Sequence, residues 1–297
     1  MTRTRLTAED VVDLQSDIFD LFRESPSWRK YIPVNPFGKP KWAHETKYYT
    51  MQEVPNGVWS IVEHNASPDL KPSTGYEATT QKYLQLVMAW QIHKNDLEIS
   101  PNGRLKADSI LQIAKRMDKQ IELAMNSGVT VGTSIAVTGL LNASGVNTGT
   151  AGKGSDMDTC YTKIKELKNK LIEDAFNDKT KWFFIHDATI DGYLDLLHAT
   201  HGLTAREKLI SNKIIFPERI VQTANVTPDT SDALAAIVES DPQNFHCREL
   251  SNGIEVHPFL DGALDTDFMF KGFLEWVGTI VVPRPESVAV NSGIASA

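Results

Sequence analysis

The chain has 297 residues and a formal net charge of -8 at pH 7, and 41% of its residues are hydrophobic and 23% charged. This composition is typical of a soluble globular protein with a sizeable core, and it excludes the disordered and collagen-like classes. Because a negative chain repels phosphate groups, any contact with DNA should be local or indirect.

Export and membrane insertion are not indicated. The first fifteen residues run into Glu9, Asp10 and Asp13 without an apolar core, which argues against a signal peptide. No uncharged apolar run approaches the roughly 18 residues that a membrane span needs, so no membrane partner is expected. Cys160 and Cys247 stand apart without CxxC spacing, a pattern that fits a reducing compartment and favours neither a disulfide framework nor a zinc ribbon.

The chain begins with a predicted helix and a proline-rich arm. Residues Thr7 to Phe22 carry an acidic amphipathic pattern with Thr7 as N-cap, which predicts a short helix. From Ser25 to Trp42 the prolines and Gly38 predict an extended arm rather than a packed element. Such an arm is expected to rest on something else.

A long extended excursion follows the arm. Strands are predicted at Lys47 to Val54 and Val58 to His64, joined at Pro55-Asn56-Gly57, and the polar segment 65–75 leads to a returning strand. Because an isolated hairpin is at best marginal in water, we expect this excursion to be stabilised by another subunit. The candidate inter-subunit contacts are Trp42, Tyr48, Tyr49, Trp59, Asp69, Lys71, Tyr76 and Glu77.

The next part of the chain combines a strand with one long helix. Gln81 to Ile92 alternates apolar and polar residues, which predicts a half-buried strand. After the breaker Ser100-Pro101-Asn102-Gly103, residues Ala107 to Ser127 carry apolar side chains with a helical period, and Gly128 is the natural stop. The stripe expected to face the core includes Ile110, Ile113, Met117 and Ile121.

The second half of the chain alternates helices and strands. A segment rich in glycine and small polar residues, Val129 to Thr150, leads to a predicted helix at Asp156 to Phe176. Phe268 to Val282 is apolar enough to be a central strand, which a proline pair then bends. The other predicted elements are a strand at Lys181–His186, a helix at Ile190–His201, strands near Arg219–Val221, Ala233–Val238 and Gly253–Val256, and a last extended segment at Ser287–Val290.

Searches for catalytic motifs fail at specific positions. Gly149 to Ser155 resembles a phosphate-binding loop, but Asn147 stands where the pattern needs glycine and Gly154 where it needs serine or threonine. Residues 132–136 lack the last glycine of a nucleophile elbow. We therefore expect no cofactor and no enzymatic activity.

Metal binding is the lesser alternative at two places. Asp195, His198 and His201 share one face near a predicted helix end, where dipole stabilisation is the more common role. The aspartates at 261–267 lack the glycine and glutamate of an EF-hand and predict a solvated loop, so no resident metal is expected. An alternative hypothesis, an α/β enzyme, would rest on His186, on Asp187 or on the pair His198 and His201.

The order of these elements resembles the major capsid proteins of tailed phages and archaeal tailed viruses, whose fold encapsulin shells share. TGLLNASGV (138–146) is similar to the run that follows the family's long spine helix, and KWFFIHDATIDGYLDLL (181–197) looks like its entry into the axial domain. FLEWVGTIVVPRPESVAV (273–290) is similar to the family's terminal stretch. The resemblance implies an α+β fold with an N-terminal arm, an extended β-hairpin loop, a peripheral domain with a long spine helix, and an axial domain.

The resemblance also implies a division of the chain. It places the arm at 1–42, the extended loop at 43–80, the peripheral domain at 81–178 with the spine helix at 107–127, the axial domain at 179–262 and a C-terminal return strand to the peripheral domain at 263–297. A glycine-rich loop is expected at Val137 to Gly154.

The function implied by the resemblance is structural. Many copies, arranged as pentamers and hexamers, would form an icosahedral head that encloses viral double-stranded DNA without sequence-specific contacts. Separate scaffold, portal and decoration proteins are the other partners that the family suggests, and the protein would reside in the virion after assembly in the host cytoplasm. The alternative is an encapsulin-type nanocompartment shell enclosing a cargo enzyme, which the N-terminal helix favours less because it lacks the encapsulin pattern.

Two further expectations concern maturation. No scaffolding domain precedes the arm, so a separate scaffold or none is expected. Some family members join a lysine near the tip of the extended loop to an asparagine of a neighbour, and Lys71 sits where such a lysine would. The matching segment Leu264 to Leu274 offers Asp265 and Asp267 but no asparagine, so we expect a shell without covalent cross-links.

Overall fold

The structure is a computed structural model that describes residues 28–37, 45–51, 76–93, 104–131, 135–150, 157–197, 202–223, 234–258 and 269–292. The helices are α1 (Arg104–Ser127), α2 (Met157–Glu173), α3 (Ala188–Leu194) and α4 (Ala205–Ser211). The strands are β1 (Val34–Phe37), β2 (Glu45–Met51), β3 (Tyr76–Lys82), β4 (Leu84–His93), β5 (Gly128–Val131), β6 (Ile135–Thr138), β7 (Asn147–Thr148), β8 (Trp182–His186), β9 (Ile220–Gln222), β10 (Leu234–Glu239), β11 (His246–Pro258), β12 (Met269–Val281) and β13 (Val288–Ser292).

A four-stranded sheet with α1 on one face forms the first core. Its strand order is β1-β11-β12-β4, with β1 parallel to β11 and the other neighbours antiparallel. In β4, Leu84 and Trp90 face this core while Val87 lies on the other face and is 53% exposed, as the alternating sequence predicts. The prediction that the apolar segment after residue 268 is a central strand is confirmed, since β12 lies between β11 and β4.

The long helix α1 begins three residues before its predicted start and ends where predicted. Ile110, Met117 and Ile121 are fully buried, and Ala114 fills the same stripe, whereas Ile113 lies at its edge and is only partly buried. Gly128 follows the helix with a φ of 79°, a backbone conformation that residues with a Cβ atom rarely adopt. The chain then turns directly into the antiparallel pair β5–β6.

A five-stranded sheet with the order β7-β13-β10-β8-β9 contributes to two cores. Residues such as Phe184, Ile237 and Ala289 belong to the second core, and their strand neighbours Ile185, Val238 and Val288 belong to the first. Helix α2 packs against β10 and β13 and against α3 and α4, and it buries Ile164, Leu167 and Leu171 there. The C-terminal strand β13 pairs antiparallel with β10. Helix α2 and β13 therefore contact strands of the predicted axial domain, and Val288 and Val290 of β13 also belong to the first core. The assignment of α2 and β13 to the peripheral domain stays a prediction.

Three local predictions are corrected by the structure. The helix predicted at Ile190–His201 covers only α3, because Asp187 caps its start and Asp195 follows its last turn. Helix α4 was not predicted, although Thr204 and Glu207 form its capping box. The expected glycine-rich loop contains the end of β6, a 3₁₀ turn at Leu140–Asn142 and β7.

The predicted helix at residues 7–22 lies outside the described residues. Among the described helices, none combines the length and the apolar character needed to cross a membrane.

Candidate functional site

The end of the N-terminal arm is packed into the first core. Trp28, Tyr31 and Ile32 are at most 1% exposed. The indole Nε1 of Trp28 donates to Asp118 Oδ1 at 3.0 Å, and the Tyr31 hydroxyl donates to Asn126 Oδ1 at 2.7 Å. The prediction of an unpacked arm is wrong for residues 28–32, because two aromatic rings and their polar tips find partners on α1.

Arg29 forms an ion pair beside this anchor. Arg29 Nη2 lies 2.7 Å from Glu249 Oε1, and Asp118 of α1 lies close enough to interact with Arg29, Glu249 and Glu122. The pKa of Asp118 is raised to about 6, chiefly by burial and also by the negative charges of Glu122 and Glu249, while the bond from Trp28 and the charge of Arg29 oppose the rise. We therefore expect the attachment of the arm to α1 to depend on pH.

The strands β2 and β3 form a two-stranded ribbon, defined here as Glu45–Met51 with Tyr76–Lys82. The pairing runs from Glu45 opposite Lys82 to Met51 opposite Tyr76. At the base of the ribbon, Thr46 Oγ1 accepts a 2.8 Å bond from Arg248 Nη1, and Gln81 Nε2 donates to Thr138 O at 2.9 Å. The ribbon is thus fixed at its base to the sheet and to β6.

The structure brings four of the predicted inter-subunit residues onto this ribbon. Tyr48 is partly buried and bonded to the backbone of Val282, while Tyr49 points to the other face and is 67% exposed. Tyr76 and Glu77 lie in β3, opposite Met51 and Thr50. The remaining predicted contacts, Trp42, Trp59, Asp69 and Lys71, lie outside the described residues.

The predicted return of the chain from its excursion can be followed only in part. The described partner of β2 is β3, which carries the returning chain. The strand predicted at Val58–His64 and the tip at 65–75 lie outside the described residues. The inter-subunit role of the ribbon stays a prediction.

Two residues of the alternative enzyme hypothesis, His186 and Asp187, lie in the described part of the chain. His186 is fully buried, and burial lowers its pKa. Asp187 accepts from the backbone N–H of Ile190 and of Leu234, at 3.0 Å each, so its carboxylate caps α3 and joins β8 to β10. Asp191, whose Oδ1 lies 4.0 Å from His186 Nε2, is ion-paired with Arg206. These contacts give Asp187 and Asp191 structural roles.

Several residues of the predicted motifs lie in parts of the chain that the structure does not describe. His198, His201, the aspartates at 261–267 and the lysine of the Gly149–Ser155 segment lie outside the described residues. Asp195 is described, and it accepts a 2.9 Å bond from Arg206 Nε. Both cysteines are buried, and neither is in a disulfide.

One polar cluster in the structure was not predicted from the sequence. Glu255, His257 and Glu275 place their ligand atoms within 4.8 Å of one another. The available signal was the spacing of Glu255 and His257, since residues two apart in a strand share a face. The pairing with Glu275 could not be seen, because it depends on the register of β11 against β12.

Comparison with known proteins gives matches in structure only. No protein-family model matches the sequence, and no curated protein matches it. The virus-like particle from Pyrococcus furiosus superposes with a TM-score of 0.61 at 14% identity, covering 96% of this chain and 98% of that chain. The capsid of Myoviridae phage XM1 gives a TM-score of 0.64 at 14% identity, over 91% of this chain and 92% of that chain.

An encapsulin is also similar. The holo-SrpI encapsulin complex from Synechococcus elongatus gives a TM-score of 0.53 at 13% identity, covering 91% of this chain and 88% of that chain. At these identities the likeness establishes the fold. The chain has the fold of tailed-phage major capsid proteins and encapsulin shells, and the predicted α+β fold class is confirmed.

Proposed function

We propose that this chain is a structural shell protein whose copies assemble as pentamers and hexamers into an icosahedral head around viral double-stranded DNA. The observation that carries the proposal is the likeness of nearly the whole chain, 91–96% of it, to a phage capsid and an archaeal virus-like particle. The proposed role is not enzymatic. The protein would be a component of the virion.

The ribbon supports this proposal physically. It is hydrogen-bonded to the chain at its base, and Tyr49 presents a mostly exposed ring to the surroundings. A neighbouring subunit that covers such a surface would stabilise the ribbon on assembly, and obligate interfaces bury about 2,000 Å² or more in total. Repetition of one set of interfaces with closed symmetry then produces a shell.

The net charge of -8 suits a container for DNA. Each basic contact to a phosphate would add salt-dependent attachment, whereas a negative chain encloses the genome without gripping it. This supports packaging without sequence-specific contacts. Portal, scaffold and decoration proteins remain predicted partners.

We also propose a revised division of the chain. The strand pairing supports a peripheral unit built from residues 28–37, β4, α1, β11 and β12, and an axial unit built from α2, α3, α4, β8–β10 and β13, with one face of the axial sheet packed into the first core. The extended loop would include the ribbon, with Trp42, Tyr48, Tyr49, Trp59, Asp69, Lys71, Tyr76 and Glu77 as inter-subunit contacts.

An encapsulin-type shell around a cargo enzyme is the second candidate. The likeness to the Synechococcus elongatus encapsulin favours it, although that TM-score is lower than those of the phage capsid and the virus-like particle. The two candidates share the shell and differ in its contents.

Assembly and contents can be tested on the purified untagged chain. Sedimentation velocity across protein concentration and salt, followed by negative-stain microscopy, should show capsomers or closed particles. A well-folded monomer under all conditions would overturn the shell proposal. Nuclease-protected DNA in particles from the native source would support the capsid, while a protein cargo without DNA would support the compartment.

A further inference from the structure

We propose that Glu255, His257 and Glu275 form a binding site for a divalent transition-metal ion on the face of the four-stranded sheet that points away from α1. The alternation of the strands sets this face. Their neighbours Ile254, Val256, Leu274 and Trp276 are all buried in the first core, so Glu255, His257 and Glu275 point the other way.

The distances between the ligand atoms fit a metal ion. His257 Nε2 lies 3.0 Å from Glu275 Oε2 and 3.5 Å from Glu255 Oε2. Nitrogen and oxygen ligands lie about 2.0–2.2 Å from Zn²⁺, which separates neighbouring ligands by roughly 2.9–3.5 Å. The imidazole and each carboxylate are therefore already spaced as ligands of one ion.

Among the described residues, no group forms a hydrogen bond with the ring nitrogen of His257 that faces the carboxylates. His257 Nε2 is buried, and neither nearby carboxylate oxygen meets hydrogen-bond geometry with it despite the short distances. Buried polar atoms normally have a hydrogen-bond partner, so a buried atom without one needs an explanation. With the ring proton on Nδ1, the Nε2 lone pair is available to a cation between the carboxylates.

The two carboxylates of the cluster lie close together in a poorly screened place. Glu255 and Glu275 are directly opposite each other on β11 and β12, a position where like charges destabilise a sheet. Their side chains are only 8% and 20% exposed, so solvent screens the repulsion poorly. A divalent ion bound by both carboxylates would reduce this repulsion more than a single proton on the imidazole.

Neighbouring side chains hold two of the ligands in place. The His257 ring stacks on Phe273 with centroids 4.7 Å apart and planes 23° apart, which fixes its orientation. Gln85 Nε2 donates to Glu275 Oε1 at 2.6 Å, which leaves Oε2 facing the imidazole. Such supporting contacts are typical of metal sites.

The ligand set selects the class of metal. Imidazole with carboxylates suits Zn²⁺, Mn²⁺, Fe²⁺, Co²⁺ or Ni²⁺, whereas Ca²⁺ and Mg²⁺ prefer oxygen ligands alone. Three protein ligands leave at least one coordination position for water or another donor.

The test is metal titration of the untagged chain after treatment with a chelator. Calorimetry with ZnCl₂ should show a site that binds one ion per chain, and Co²⁺ should give the visible absorption of a bound ion that excess Mg²⁺ does not displace. His257→Ala and Glu275→Gln should abolish this site or weaken it strongly. Gln85→Ala, which removes only a supporting bond, should weaken binding by about tenfold.

His246→Ala is the matched control. His246 lies at the other end of β11, where Nδ1 is bonded to Pro242 O at 2.9 Å, so this variant should bind as the unaltered chain does. Absence of Zn²⁺ binding by the unaltered chain would leave only an imidazolium ion pair and overturn the proposal. Undiminished binding in Glu275→Gln, which keeps the side-chain shape even if His257→Ala misfolds, would assign the ion to another site and overturn it equally.

Discussion

Residues 28–32 and the β2–β3 ribbon both come from stretches predicted to be extended and to depend on other surfaces, yet the chain holds them differently. Trp28 and Tyr31 are fully buried, and each places its polar tip on a side chain of α1. The ribbon is bonded at its base through Thr46 and Gln81, but Tyr49 is 67% exposed.

The difference shows what attaches an extended segment to its own chain. An aromatic ring adds stability when it is desolvated and its N–H or O–H finds a buried acceptor. Residues 28–32 satisfy both conditions within the chain. The Tyr49 ring is mostly exposed, and no acceptor for its hydroxyl is found among the described residues. The anchor should therefore matter for folding of the chain, and the ribbon for its association.

The largest expected effect is that of Trp28→Ala. It removes a fully buried indole and leaves the partly buried Asp118 without its donor, so the chain should lose about 3–5 kcal/mol of unfolding free energy. Urea unfolding followed by circular dichroism measures the change. A loss below about 1 kcal/mol, the size typical of an average substitution, would show that residues 28–32 do not belong to the core.

The next largest effect is that of Asp118→Asn, and it depends on pH. The pKa of Asp118 is about 6 in the folded chain, above its ordinary value of 3.8. Between these values the folded chain holds a proton that the unfolded chain has released, so stability contributed by this group falls as pH rises from about 4 to about 6. Above pH 6 the ionised carboxyl destabilises the fold by at most about 3 kcal/mol.

The amide introduced by Asp118→Asn cannot ionise and can still accept from Trp28. The variant should therefore be more stable than the unaltered chain at pH 8, and the difference should vanish near pH 4. Melting temperatures across this pH range test the prediction, with the exposed Glu218→Gln as control. A difference that is constant with pH, or one that Glu218→Gln reproduces, would contradict the assigned role of Asp118.

Tyr31→Phe should have a smaller effect of the same kind. The ring stays buried, but the Asn126 side chain, also fully buried, loses the hydroxyl bonded to its Oδ1, which costs about 1–2 kcal/mol. Tyr161→Phe is the matched control, because that hydroxyl accepts an exposed bond from Asn212. Equal losses in the two variants would remove the distinction between buried and exposed partners.

The elements that depend on local pattern were predicted from the sequence. The alternation of β4 and the helical stripe of α1 follow from periods of 2 and 3.6, and Gly128 ends α1 because its φ of 79° suits glycine. Even there, the edge of the stripe was misjudged at Ile113. The arm was misjudged too, since its prolines outweighed Trp28, Tyr31 and Ile32 although these apolar residues lie close together.

The features that depend on pairing across the chain were not predictable. β1 pairs with β11 although more than 200 residues separate Val34 from Cys247, and no local signal encodes that parallel register. The metal-ligand cluster depends on the same kind of information, since Glu275 meets Glu255 only in the observed register of β11 and β12. The grouping of α2 with the second sheet likewise follows from packing rather than from its own amphipathic pattern.

The smallest effect on folding is expected for Tyr49→Ser, which is also the sharpest test of the difference between residues 28–32 and the ribbon. Because the ring is mostly exposed, its loss should change the unfolding free energy by no more than about 0.5 kcal/mol. If a neighbouring subunit buries this ring, association should weaken markedly, since buried tyrosines often dominate interfaces. Leu197→Ser is the comparator, because Leu197 is 69% exposed and pairs with Thr204 in the segment between α3 and α4 rather than in the ribbon. Sedimentation at matched concentrations should show fewer assembled particles for Tyr49→Ser than for Leu197→Ser.

Two outcomes would contradict the role given to Tyr49. Normal assembly of Tyr49→Ser would mean that the exposed face of the ribbon is not an interface. Destabilisation of the isolated Tyr49→Ser subunit would mean that Tyr49 supports the chain's own fold as Trp28 does.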